Sequence, residues 1–122
     1  MGETVSDAKR FSGVGCGAAS DLFRRHRSGE WVTLSGVVQT RLGDSYGHFE
    51  HQRFILGCEN GAHILVVNDV SIGQRVPLAL HGRVTVRGQY VWDSQGGLVH
   101  FTHRAQGGGE NGWILFGSRI YQ

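Results

Sequence analysis

Lysine is nearly missing from this chain of 122 residues, where Lys9 stands beside eleven arginines. Proline and methionine occur once each and cysteine twice, and no hydrophobic run is long. Each scarcity excludes something. No stretch approaches the roughly 18 apolar residues that span a bilayer, so no membrane association is expected. Met1 to Arg10 is polar, without the apolar core of an export signal. Two cysteines make no disulfide framework: Cys16 and Cys58 can bridge only if the fold brings them together, and a reduced, cytoplasmic protein is the simpler expectation. Charged residues are 18% of the chain and the formal net charge is +2, too little for charge-driven disorder or for a polyelectrolyte. The length leaves room for one core.

Glycine is what the chain has in excess, twenty in all, and glycine concentrates where the backbone turns tightly. Residues 1–17 are rich in glycine and serine and read as a flexible lead-in, with a single domain over 18–122. A short helix is expected from Ala18, with Ser20 as a candidate N-cap and Gly29 as its stop. Arg24, Arg25 and Arg27 at its end read either as a phosphate-contacting cluster or as a solvated helix terminus favoured by the macrodipole. Beyond Glu30 the period changes to two. Strands are predicted over 31–40, 49–57, 62–68, 83–92 and 98–103, with a short terminal piece after Trp113. Asn60-Gly61 supplies a hairpin turn, and Asp69 to Gly82 reads as irregular. The expectation is an all-β fold: a small OB-like antiparallel barrel of five to six strands with a short N-terminal helix.

Candidate chemistry centres on histidine, of which there are seven. His48/His51 and His100/His103 share a three-residue spacing that invites a zinc reading. On an extended strand, however, residues three apart point to opposite faces, and no metal site is assigned. Face arithmetic instead groups His51 and Arg53 with His100 and Thr102 in one polar groove, leaving Val99 and Phe101 for the core. The residues expected to carry chemistry are His51, Arg53, His100 and His103, with Gln52, Arg87, Gln89 and Thr102 as ligand contacts. Such a groove would hold an anion such as a nucleic acid or a nucleotide-like ligand. The same groups could serve a metal-independent phosphodiesterase or nuclease, with His51 and His100 as acid and base and Arg53 steadying the developing charge. A third reading is an inhibitor or interaction protein that binds another protein. No cofactor is implied, since Gly107-Gly108-Gly109 lacks the lysine and the strand-to-helix setting of a phosphate loop. Tyr90 and Trp92, with Trp31, Phe54, Phe101 and Trp113, are expected in the core.

From His51 onward the chain resembles a bacterial family, the domain of unknown function numbered 3465. The resemblance rests on His51-Gln52-Arg53-Phe54, the region of Asn68, Arg75-Val76-Pro77-Leu78, Gly88-Gln89-Tyr90-Val91-Trp92, Gly96 to His103, Gly112-Trp113-Ile114 and Tyr121-Gln122. It implies an OB-like barrel and marks His51, Gln52, Arg53, His100, Thr102 and His103 as the polar motif positions. Arg104 stands where that pattern tends to place a further histidine. No activity comes with the resemblance.

Overall fold

A computed structural model describes residues 14–122. Alternation of apolar and polar side chains builds most of it: in residues 31–38 and in the strands over 50–57, 63–69 and 83–91 at least every second residue is buried, as period-two patterning requires when one face meets a core. The elements are helix α1 (Gly17–Arg24) and strands β1 (Trp31–Tyr46), β2 (Glu50–Gly57), β3 (His63–Asp69), β4 (Arg83–Val91), β5 (Leu98–His100), β6 (Trp113–Phe116) and β7 (Arg119–Tyr121). β1 pairs with both β2 and β4, so five strands close into a ring in the order β1-β2-β3-β5-β4. β6 and β7 extend the sheet from β4. The ring is barrel-like, and its strand order is OB-like, as expected. Its pairings are antiparallel except for β3 with β5, which run parallel.

Inside lie Leu34, Val38, Phe54, Leu56, Ile64, Val66, Val84, Val86, Tyr90, Val99 and Ile114, all essentially dry. Tyr90 enters this core whole because its hydroxyl donates to the Gly96 carbonyl at 2.8 Å, which satisfies the one polar atom that burial would orphan. The Asn60-Gly61 turn forms as predicted. Gly61 takes φ +88°, while Asn60 Oδ1 accepts from the Ala62 amide at 3.0 Å.

β1 runs through the predicted turn at 42–47. Two register shifts against β2, at Val38/Thr40 and Leu42/Ser45, let the strand absorb Gly43 and Asp44 as irregularities rather than end at them. The strand predicted over 98–103 stops at His100, because Phe101 adopts φ +58°. Phe101 therefore leaves the core position assigned to it and is 45% exposed.

α1 begins at Gly17, so Ser20 lies inside the helix rather than capping it, and Cys16 occupies the cap without a side-chain hydrogen bond. The helix buries Ala19 and Leu22 against the ring. Trp92 Nε1 donates to the Phe23 carbonyl at 3.0 Å. Arg24 and Arg25 both pair with Asp21, at 2.6 and 2.8 Å, and Arg27 pairs with Glu30 at 3.4 Å. That terminus is a solvated charge cluster in which each arginine has a carboxylate partner, Asp21 being shared by two.

Cys16 and Cys58 form a disulfide across 42 residues, with Cα atoms 6.0 Å apart. The expectation of unpaired thiols is thereby corrected. Sequence spacing carries no information on the approach of a helix start to a hairpin end, which the packing of α1 on the ring decides. The lead-in expected over residues 1–17 is described only from residue 14. Cys16 is buried, and the Gly15 carbonyl accepts from the Ser35 amide at 3.1 Å; residues 1–13 lie outside the described part. No described helix is long and apolar enough to cross a membrane.

Candidate functional site

β2 sorts the first group of predicted residues by alternation. His51, Arg53 and Ile55 are half-buried on its outer side, while Gln52, Phe54 and Leu56 face inward. Two hollows open along the outer side. One, of about 380 Å³, is lined by Trp31, Phe49, His51, Asp69, Phe101 and His103 among others. The second, of about 510 Å³, takes Arg53. The structure thus brings three of the expected imidazoles into one neighbourhood and places the guanidinium of Arg53 in a separate hollow, where Nε donates to the Gly43 carbonyl at 2.9 Å.

The imidazoles are held in defined protonation patterns, because carbonyl oxygens only accept. His51 Nδ1 lies 3.1 Å from the Phe49 carbonyl and His103 Nδ1 2.8 Å from the Arg104 carbonyl. Each of these nitrogens must carry the proton, leaving Nε2 as the lone-pair nitrogen of the neutral ring. His51 Nε2 stands 3.8 Å from Asp69 Oδ2, an ion pair once the ring is doubly protonated. His100 is arranged the other way round. Gln89 Nε2 donates to the Gly29 carbonyl at 3.0 Å, which turns Gln89 Oε1 toward His100 Nε2 at 3.1 Å. His100 therefore carries its proton on Nε2.

Burial, followed by the neighbouring His51 and His103 rings, holds the proton affinity of His100 below the ordinary imidazole value of 6.5. A sign follows for stability. Above pH 6.5 the ring is neutral in both folded and unfolded chains and contributes no pH dependence. As pH falls below 6.5 the unfolded chain takes up the proton first, so stability declines until the lower folded value is passed. Urea denaturation across pH 7.5 to 5 should show this decline, and His100→Gln should flatten it. An unchanged slope in the variant would assign the decline to other groups.

Phe101 is the residue that sequence reasoning misplaced. Its ring lies against the His100 ring, centroids 3.8 Å apart and 15° from parallel, and Phe49 beside it is 52% exposed. A bulky side chain at positive φ is uncommon and costs conformational energy, so packing must hold it. Gly112 is part of that packing: its backbone approaches so closely that a Cβ there would run into the Phe101 carbonyl and stand 2.8 Å from Thr102 Cα. The alternation of 98–103 offered no signal for this break.

Two of the residues expected as ligand contacts are buried, although Gln52 also lines the second hollow. Thr102 is 1% exposed and Gln52 9%, and both belong to a buried hydrogen-bond network. Gln52 Nε2 donates to the Val76 carbonyl at 2.7 Å and its Oε1 accepts from the Val76 amide at 3.0 Å, mimicking a strand partner for the irregular segment. Asn68 Nδ2 donates to Gln52 Oε1 and to the Gln74 carbonyl, and Thr102 Oγ1 donates to Asn68 Oδ1. The other two, Arg87 and Gln89, lie on the outer side of β4. Arg87 is spent on Thr33 Oγ1 at 3.2 Å and Glu110 Oε2 at 2.9 Å. Among the described residues no group of three or more His, Cys, Asp or Glu side chains is placed to hold a metal ion.

The model of a family described as a protein of unknown function, DUF3465, matches residues 16–122. The chain belongs to the DUF3465 family. The match begins at the bridged Cys16 and runs through the ring, so α1 and β1 belong to the family unit together with the segment after His51. No curated protein and no solved structure matches the chain.

Proposed function

We propose that this member of DUF3465 is a binding module whose histidine and aromatic cleft stacks an unpaired nucleobase, presented by a single strand or by a nucleotide. The observation that carries the reading is Phe101: an aromatic ring turned out of the core at energetic expense, lying flat on an imidazole, with Phe49 and Trp31 lining the same hollow. Single-strand binders on OB-type barrels stack bases on such rings, each stack contributing about 1–3 kcal/mol. The lone-pair nitrogens of His51 and His103 can accept from base N–H groups, the ring N3–H of thymine included, whereas protonated rings would favour phosphate.

Trp31 lines the cleft and offers a fluorescence signal. Titration with oligothymidylate should quench it. Phe101→Ala should weaken binding roughly tenfold or more, which corresponds to the loss of one stack. A blunt duplex of equal length should bind more weakly, its bases being paired. Equal affinity of wild type and Phe101→Ala for oligothymidylate would remove the reading.

The nuclease reading draws support from the proximity of His100 to His51, but Arg53 lines the other hollow and offers that pair no charge stabilisation. Cleavage of labelled oligonucleotide that vanishes in both His51→Gln and His100→Gln would reinstate it. As to compartment, the Cys16–Cys58 bridge withdraws the ground for a cytoplasmic placement and fits an oxidising one.

A further inference from the structure

The second hollow remains after the cleft has been given a role. It sits where the irregular stretch of β1, the middle of β2 and residues 75–78 meet, and three arginines line it: Arg41, Arg53 and Arg75. Their charges are used unequally. Arg75 is committed to acids, pairing with Asp44 at 2.5 Å and Glu50 at 3.2 Å. Asp44 lines the same hollow and is answered first by Arg75, with Arg53 also within Coulombic reach of it though not bonded to it. Arg41 and Arg53 form no ion pair with any described residue. Each gives a single N–H to a neutral backbone carbonyl, Arg41 to Leu78 at 3.3 Å and Arg53 to Gly43 at 2.9 Å.

A guanidinium has five N–H donors in a planar fork. One carbonyl uses one of them and leaves the charge without a bonded counter-ion. Two such groups facing one concave, polar space present the donor set that a tetrahedral oxyanion accepts, with charge-assisted bonds roughly twice the strength of neutral ones. The backbone fixes the approach: the carbonyls of Gly43 and Leu78 each restrain one nitrogen, so less side-chain freedom is lost when an anion arrives.

The hollow also neighbours the cleft along β2. His51 lines the first and Arg53 the second, two residues apart on one side of β2, a separation of about 7 Å along the strand. We propose that Arg41 and Arg53 form a phosphate site, and that a single strand with a base on Phe101 places a backbone phosphodiester there. The shared track rests on the base-stacking reading; the phosphate site stands without it.

The test uses the double variant Arg41→Gln/Arg53→Gln, since both side chains reach the surface and their loss leaves the core untouched. Inorganic pyrophosphate, which carries no base, reads the phosphate site alone by arginine side-chain NMR shifts. Wild type should bind it with shifts at Arg41 and Arg53 Nε, and the double variant should bind at least about tenfold more weakly. Arg119→Gln, an exposed arginine on β7, controls for the general loss of charge and should behave as wild type. Absence of pyrophosphate binding to wild type, or equal binding by the double variant, overturns the site.

Oligothymidylate then reads continuity. The dependence of log K on log salt should fall by about 0.7 for each phosphate that the double variant no longer neutralises. An unchanged salt slope, with pyrophosphate binding abolished, overturns the shared track and leaves an isolated phosphate site. Failure of the base-stacking reading is seen separately, as an absence of any effect of Phe101→Ala on oligothymidylate.

Discussion

Cys16→Ser should lower the melting temperature by about 8–15 °C, equivalent to about 2–4 kcal/mol. The bridge closes a segment of 42 residues that contains α1, all of β1 and all of β2. Without it the unfolded chain regains the freedom to separate those ends, and the chain-entropy relation for a loop of that size gives about 4 kcal/mol. The folded state retains other ties to α1: Leu22 stays buried, Asn60 Nδ2 still donates to Ser20 Oγ at 3.0 Å, and Trp92 still donates to the Phe23 carbonyl. The ring should therefore survive with its stability reduced. Urea denaturation of Cys16→Ser, of Cys58→Ser and of wild type under reductant should give a common lowered midpoint. Amide exchange in α1 should quicken before that of β4, because the helix would then be the least anchored element. A midpoint shift below about 1 kcal/mol in all three preparations would mean that the bridge contributes little beyond these ties.

The second large effect is expected at Asn68→Ala, with a loss of about 2–4 kcal/mol. Asn68 is 2% exposed and serves three partners from one amide. Its removal leaves the Thr102 hydroxyl without a partner in a dry interior, takes one donor from Gln52 Oε1, and releases the carbonyl of Gln74, an exposed residue that water can reach. Each orphaned group costs about 1–3 kcal/mol, and a water entering the space can recover part of it. Thr102→Val is the milder probe and should lose about 1 kcal/mol. Because the two residues are bonded, their effects should not add in the double variant.

There is a functional consequence as well. Thr102 lies between Phe101 and His103, so its bond to Asn68 steadies the segment that carries the cleft. Asn68→Ala should weaken oligothymidylate binding under conditions where the variant is still folded. Calorimetric melting with parallel fluorescence titration measures both quantities. Unchanged affinity beside a large stability loss would show that the network supports the ring and not the cleft.

Gln52 and Phe101 show where sequence reading reaches its limit. Gln52 is legible in the sequence as a residue of interest, but its hydrogen-bond partners are not. The pattern His51-Gln52-Arg53-Phe54 places Gln52 on the same side as Phe54, and that side is the core. What makes a buried glutamine tolerable is the backbone of Val76, 24 residues away, and that partner is supplied only by the closed ring. Phe101 failed for a related reason. Alternation assigns it with Val99, and it is the close approach of Gly112 that accompanies its left-handed backbone and the end of β5. The histidines fared better, since His51, His100 and His103 do share a neighbourhood, while Arg53 is drawn to the Gly43 carbonyl.

Local chemistry alone determined the class of fold. Period-two alternation, glycine at the turns and the Asn60-Gly61 hairpin are short-range preferences of φ, ψ and of one-sided burial, so they can be read from adjacent residues. Only the tertiary structure decided that Cys16 meets Cys58, that Gln52, Asn68 and Thr102 satisfy one another in the interior, and that Phe101 faces solvent on an imidazole. Each of these depends on closure of the ring through β1 with β4 and β3 with β5, which sets side by side groups that lie tens of residues apart and whose pairing no local preference encodes.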